Sequence, residues 1–191
     1  MATLLKIVAV GIAGVMLGLL MTIVSLDPGT RGLAAGPWRG SPRDGALDVD
    51  PYTLASIDRS GTLPLGAAEG LSFVAKTDGA GASLSPACDY AVSGGIPPAR
   101  FWTLSALTLD GFAIANPSQR YAFTSAEILR QVGEPLLITV SSEARSGNWL
   151  PIGAAVPYAL ALRLYDTGLS AAGSTFDAAT LPQIQKLRCR S

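Results

Sequence analysis

From Ile7 to Leu26 the chain runs for 20 residues without a charged side chain, between Lys6 and Asp27. As an α-helix, such a run measures about 30 Å, the thickness of a bilayer's hydrocarbon core. A cleaved secretory signal is the competing reading, and Gly32-Leu33-Ala34 offers a small-residue cut. The apolar core of a signal is normally shorter, about 7–15 residues. In addition, Asp27, Pro28 and Arg31 separate the run from that cut. Residues 1–27 are therefore read as a retained transmembrane anchor. No cysteine follows the run closely enough for lipoprotein processing. Gly11, Gly14 and Gly18 fall on one stripe of the helix. Gly14 and Gly18 form a small-xxx-small pair that would let a second copy of the helix approach, although glycine is common in membrane helices in any case.

Orientation is not settled by charge. Lys6 and the amino terminus favour a cytoplasmic N-terminus, whereas Arg31, Arg39 and Arg43 on the other side oppose it. The two cysteines, Cys88 and Cys189, decide the reading. In an oxidising compartment they would bridge and tie the tail to the body, and two independent thiols is the other possibility. The expected placement is a single pass through a bacterial inner membrane, with the C-terminal domain in the periplasm.

Function classes fall away by composition. The 14 basic and 14 acidic residues cancel, so no field for gripping nucleic acid is evident. Histidine is absent, which removes Ser-His-Asp triads and HExxH zinc sites. Two cysteines cannot make a four-thiolate metal site within one chain. No metal and no cofactor is expected. Lys6, Lys76 and Lys186 are the lysines, and neither Lys76 nor Lys186 stands in a Ser-x-x-Lys arrangement.

Residues 28–49 are rich in Gly and Pro, lack apolar periodicity and read as a juxtamembrane linker. Trp38 within it suits the headgroup layer, a docking contact or plain exposure. Residues 50–191 read as the folded domain. Asp50-Pro51 is a helix-start signal and Gly61 a stop, which predicts a short helix. After Gly70 the period changes to two. Strands are expected at Leu71–Thr77, Cys88–Ser93, Arg100–Leu109, Phe112–Ile114, Leu136–Val140 and Tyr158–Tyr165. Asp78-Gly79 and Asp110-Gly111 are read as tight turns, and Ser125–Gln131 as a turn or two of helix. Short strands joined by Gly and Pro turns predict a mainly β chain: an antiparallel β-sandwich or jelly-roll after one transmembrane helix and one short helix.

Several motifs carry a family resemblance. Arg100-Phe101-Trp102-Thr103-Leu104 and Asp110-Gly111-Phe112 come first, followed by Asn116-Pro117-Ser118-Gln119-Arg120-Tyr121. Ser146-Gly147-Asn148-Trp149-Leu150-Pro151 and Leu162-Arg163-Leu164-Tyr165-Asp166 complete the order. Residues 88–189 thus resemble the family of unknown function numbered 1214, in a short, membrane-anchored bacterial form. The resemblance implies a jelly-roll type of β-sandwich and supplies no catalytic residues. It also implies a partner. In longer members this domain follows one of unknown function numbered 1254, and a separate protein resembling that domain would supply the missing half.

Five residues stand out as ligand-binding candidates. Trp149 offers a flat apolar face, with Arg145 and Asn148 beside it as hydrogen-bonding groups, a combination suited to a sugar or an extended peptide. The plainer reading is that Trp149 plugs one end of the sandwich and Asn148 satisfies loop backbone. Arg163 interrupts an apolar strand and needs a carboxylate or carbonyl partner if buried, with Asp110, Glu143 and Asp166 available by type. It lies otherwise on a solvent face. Arg120 sits in a turn rich in Asn and Pro and could meet a ligand carboxylate or simply belong to the turn. A hydrolase built on two of the three carboxylates stays arithmetically open. The leading expectation is a binding or assembly subunit for another envelope protein, with a carbohydrate- or peptide-binding module second.

Overall fold

The computed structural model describes residues 2–26, 33–40, 45–46, 48–60, 64–66, 68–130, 133–153, 157–168 and 180–190. Parts of the sequence reading fall elsewhere: Asp27 of the anchor, residues 28–32, Pro42 and Arg43 of the linker, the Gly61 helix stop and Gln131 lie outside the described residues.

The apolar run forms α1 (Ala2–Leu26). Its Thr3–Val24 stretch is long and apolar enough to cross a membrane, and none of it is buried against the rest of the chain. No heavy atom beyond the helix's own backbone and adjoining residues lies within 4 Å of where a side chain would start at Gly11, Gly14 or Gly18. The short helix is α2 (Pro51–Ser60). Asp50 caps it as expected: Oδ1 accepts the N–H groups of Tyr52 and Thr53, both at 3.1 Å.

The body is a sandwich of two sheets. The strands are β1 (Leu33–Ala35), β2 (Trp38–Gly40), β3 (Gly70–Ala75), β4 (Cys88–Gly94), β5 (Phe101–Thr108), β6 (Ala122–Thr124), β7 (Leu136–Ser141), β8 (Trp149–Pro151), β9 (Tyr158–Tyr165) and β10 (Gln183–Cys189). One sheet has the order β1-β2-β3-β9-β5-β6 and the other β10-β4-β7-β8. Every pairing is antiparallel except β7 with β8, which is parallel. The alternation read from the sequence sets the inner face. Leu71 and Phe73 of β3, Trp102 and Leu104 of β5, and Tyr158, Leu160, Leu162 and Leu164 of β9 point into one shared core. Tyr90 and Val92 of β4, Ile138 and Val140 of β7, Leu150 of β8 and Ile184 of β10 meet them from the other sheet. The burial of β9 is nearly continuous because it pairs on both sides, with β3 and β5.

Three expectations change. The stretch read as linker contains the β1–β2 hairpin, which extends the six-stranded sheet by pairing with β3. Its two-residue loop is Gly36-Pro37, and Gly36 has φ 57°, the sign a type II′ turn demands at its first central position. Trp38 is no headgroup anchor: it is 1% exposed, and its Nε1–H donates to the carbonyl of Pro182 at 2.7 Å. Gly40 must stay small, since a Cβ there would lie 2.5 Å from the Ser72 carbonyl oxygen. The Asp110-Gly111 turn forms, but the returning chain makes only a single bridge, Leu107 with Ala113. Asn116 then bends the chain, donating from Nδ2 to the carbonyls of Ile114 and Arg120, and β6 takes the edge of β5 instead. Finally, the expected helix after Ser125 reduces to one turn, in which Thr124 Oγ1 donates to Glu127 and the Glu127 N–H to the Thr124 carbonyl.

Candidate functional site

The densest group of polar side chains lies where β10 meets β4. The register places Cys189 directly opposite Cys88, and the two form a disulfide. A one-residue shift between Lys186 and Arg188 leaves Leu187 unpaired and sets Arg188 opposite Asp89. Asp89 is buried and is the hub of the group. Its Oδ1 accepts from Ser141 Oγ at 2.6 Å. Its Oδ2 accepts from Arg145 Nη2 at 2.8 Å, Arg145 Nε at 3.1 Å and Arg188 Nε at 3.0 Å.

A second carboxylate continues the chain of contacts. Glu143 receives Arg145 Nη2 at 2.7 Å and faces Arg190 Nη1 at 3.2 Å. Arg190 also donates to the Pro86 carbonyl at 2.6 Å and to Ser142 Oγ. Three guanidinium groups thus share two carboxylates.

The electrostatics fix what these acids can do. Burial pushes the Asp89 carboxyl up, but the hydrogen bonds from Ser141, Arg145 and Arg188 outweigh it and hold the group at about 2. Hydrogen bonds from Arg145 and Arg190 likewise hold the Glu143 carboxyl below its ordinary value. Both therefore stay ionised near neutral pH, and neither can serve there as a proton-donating acid. The group is built to hold the C-terminal strand, through a covalent bond and a ring of charge-assisted hydrogen bonds.

The five candidates do not converge. Arg145 belongs to this ion network. Asn148 is buried and spends its amide on main chain: Oδ1 accepts the Leu129 N–H at 2.8 Å, and Nδ2 donates to the carbonyls of Leu129 and Leu137 at 2.9 and 3.0 Å. Trp149 is half-buried, and its Nε1–H donates to the Ser141 carbonyl at 2.9 Å. Arg120 is exposed and lays its guanidinium over the Phe123 ring, 4.8 Å from the centroid. Arg163 lies on the outer face of the six-stranded sheet, and its buried Nε has no hydrogen-bond partner.

None of the carboxylates suggested for Arg163 reaches it. Glu143 is held by Arg145 and Arg190, and Asp166 lies 3.8 Å from Arg100. Asp110 follows the end of β5, whereas Asp166 follows the end of β9 that pairs with the start of β5. An eight-residue strand separates them by about 25 Å, beyond the separation of paired glycosidase carboxylates. Asp89, Ser141, Arg188 and Arg190 were not anticipated. One signal was present, because pairing Cys88 with Cys189 brings the flanking Arg188 and Arg190 beside Asp89.

A two-sheet β-sandwich closed by a disulfide, with one membrane-length helix before it, is the class this structure defines. Residues 69–168 match the family described as "Protein of unknown function (DUF1214)", and the chain belongs to that family. No curated protein matches it. Among solved structures it is similar to the VPA0106 protein of Vibrio parahaemolyticus, at 19% identity and a TM-score of 0.62. That match covers 92% of this chain and 44% of the other. A putative uncharacterized protein from Burkholderia cenocepacia matches at 17% identity and a TM-score of 0.38, over 75% of this chain and 44% of that one. The chain therefore spans less than half the length of either.

Proposed function

We propose that this protein is a single-pass subunit of a bacterial inner membrane whose periplasmic sandwich binds a second envelope protein. The observation that carries the reading is the contrast between its two parts. α1 is apolar, of membrane length and uncovered by the sandwich, while the sandwich is closed by a disulfide. An uncovered apolar helix calls for lipid or another helix around it, and a disulfide calls for an oxidising compartment. Only 6 residues separate Leu26 from β1, so the tether reaches about 25 Å at full extension and keeps the sandwich at the membrane surface.

Binding is favoured over catalysis because the best-defined polar cluster is fully engaged in internal ion pairs. The proposed partner is a separate chain resembling the domain of unknown function numbered 1254. α2, with exposed Tyr52 and Leu54, and the short edge strands β6 and β8 are the proposed contact elements. Two experiments test this. Alkaline phosphatase fused after Ser191 is expected to be active and a green fluorescent protein at the same place dark, and the reverse pattern refutes the topology. Tagged protein from solubilised membranes is expected to retain one stoichiometric partner, and reproducible purification alone refutes the docking role.

A further inference from the structure

Three of the large apolar side chains that the sandwich leaves open gather at one corner of the six-stranded sheet. Leu109, Phe112 and Tyr121 are 48%, 71% and 43% exposed, and Phe112 is as open as the apolar residues of α1. Local chemistry puts them there. β5 ends at Thr108, its last pairing being with Tyr158 of β9, and Leu109-Asp110-Gly111 then turns the chain. The Gly111 N–H donates to the Thr108 carbonyl, the Thr108 N–H to the Phe112 carbonyl and the Phe112 N–H to Thr108 Oγ1. Gly111 has φ 87°, the left-handed value that closes a three-residue turn. Tyr121 directly precedes β6, whose Ala122 pairs with Ser105. It therefore stands on the same edge, about 7 Å further up the sheet than Phe112. Between Phe101 and Tyr121 the only charged residues are Asp110 and Arg120.

We propose that this tip is a second membrane contact, with Leu109 and Phe112 dipping into the bilayer interface beside α1. The inference rests on the reading of α1 as a membrane span. The tether permits it. Leu33 shares one cross-strand row with Gly40, Phe73, Leu162 and Leu104. The tip begins five residues further along the chain than Leu104, so with the strands upright Leu33 stands about 17 Å above it. The six residues before Leu33 reach about 25 Å, so α1 and the tip can enter one bilayer surface together. Shape and charge select lipid. Phe112 tops a narrow turn and offers little area to a protein. Tyr121, higher on the same edge, suits the headgroup level, where a phenol is half wet. At this end of the sheet the exposed Lys76 and Arg120 outnumber Asp110, whereas the far end carries Glu69 and Asp166 against Arg100. An anionic lipid surface attracts the first end and repels the second. Asp110 keeps the contact shallow, because its carboxylate stays among the headgroups.

The test uses the full chain in vesicles of phosphatidylcholine and phosphatidylglycerol whose acyl chains are brominated near the glycerol. Phe112→Trp is compared with Leu129→Trp, a similarly open position that follows β6 toward the opposite end of the sheet. The wild-type emission of Trp38, Trp102 and Trp149 is subtracted from both. Lipid quenching at position 112 at least about 3-fold that at position 129 is expected. Equal quenching overturns the tip as a membrane contact. Leu109→Trp takes the place of Phe112→Trp if the latter fails to fold. Alkaline carbonate separates the two readings. Protein that resists extraction while position 112 stays unquenched overturns the tip and leaves the span standing. Protein released by carbonate overturns the span and the tip with it. A position 112 that lipid does not quench in vesicles, yet is shielded from acrylamide in native membranes, faces a protein, and lipid is overturned as the occupant.

Discussion

Replacing Asp89 by Asn keeps the shape of the hub and removes its charge. The carboxyl sits at about 2 in the folded protein against an ordinary 3.8, a difference of about 2 kcal/mol in folding free energy. Its side chain is only 6% exposed, so solvent screening takes little from that figure, although Arg188 at 65% contributes the smaller share. The bond from Ser141 is already among the interactions behind that figure. The expected cost near neutral pH is therefore about 2 kcal/mol. With a urea dependence of about 2 kcal/mol per molar, the midpoint falls by about 1 M. Trp38 and Trp102, both buried, report the transition by fluorescence.

The pH dependence gives the sharper test. The folded-state value is depressed, so the stabilisation is complete above the unfolded value and is lost as pH falls through about 4 towards 2. The gap between wild type and Asp89→Asn is expected to close across that window. A gap unchanged from pH 7 to pH 2 would show that the cost is packing and refute the charge argument. A cost under about 1 kcal/mol at pH 7 would refute the hub itself.

Two other outcomes follow from the fold. Cys88→Ser combined with Cys189→Ser opens a loop spanning a sequence separation of 101 and is expected to cost about 4–5 kcal/mol in the chain-entropy model. In the unaltered protein, unfolding without reductant should expose no thiol to alkylation, and two reactive thiols would refute the bridge. Trp38→Ala removes a fully buried indole and its bond to Pro182, for an expected loss of about 3–5 kcal/mol measured by thermal or urea unfolding. A neutral result would mean that residues 33–40 are a linker after all.

The central strands were legible because each answers to its own alternation. Tyr158–Tyr165 was read with the bounds β9 shows, since its apolar residues recur at every second position, and both of its edges are paired. The membrane-length helix and the Asp50 cap were legible for the same reason, because their causes lie within a few consecutive residues. The edges were not. β1 and β2 have three residues each, too short for a period to show, and Trp38 becomes a core residue only because Pro182 waits 144 positions away in sequence. The site divides along the same line. Local pattern flagged Arg145 and Asn148, but their partners, Asp89 and the main chain of Leu129, are set by which strands meet.

The sequence by itself determined the apolar span, the β character of the body, and the absence of histidine chemistry. Tertiary structure alone decided that a tail rich in arginine closes over a buried aspartate, and that the Nε of Arg163 is left without a hydrogen-bond partner among the described residues. The physical reason is that periodicity and turn chemistry are short-range, whereas the pairing of charges depends on which distant strands become neighbours.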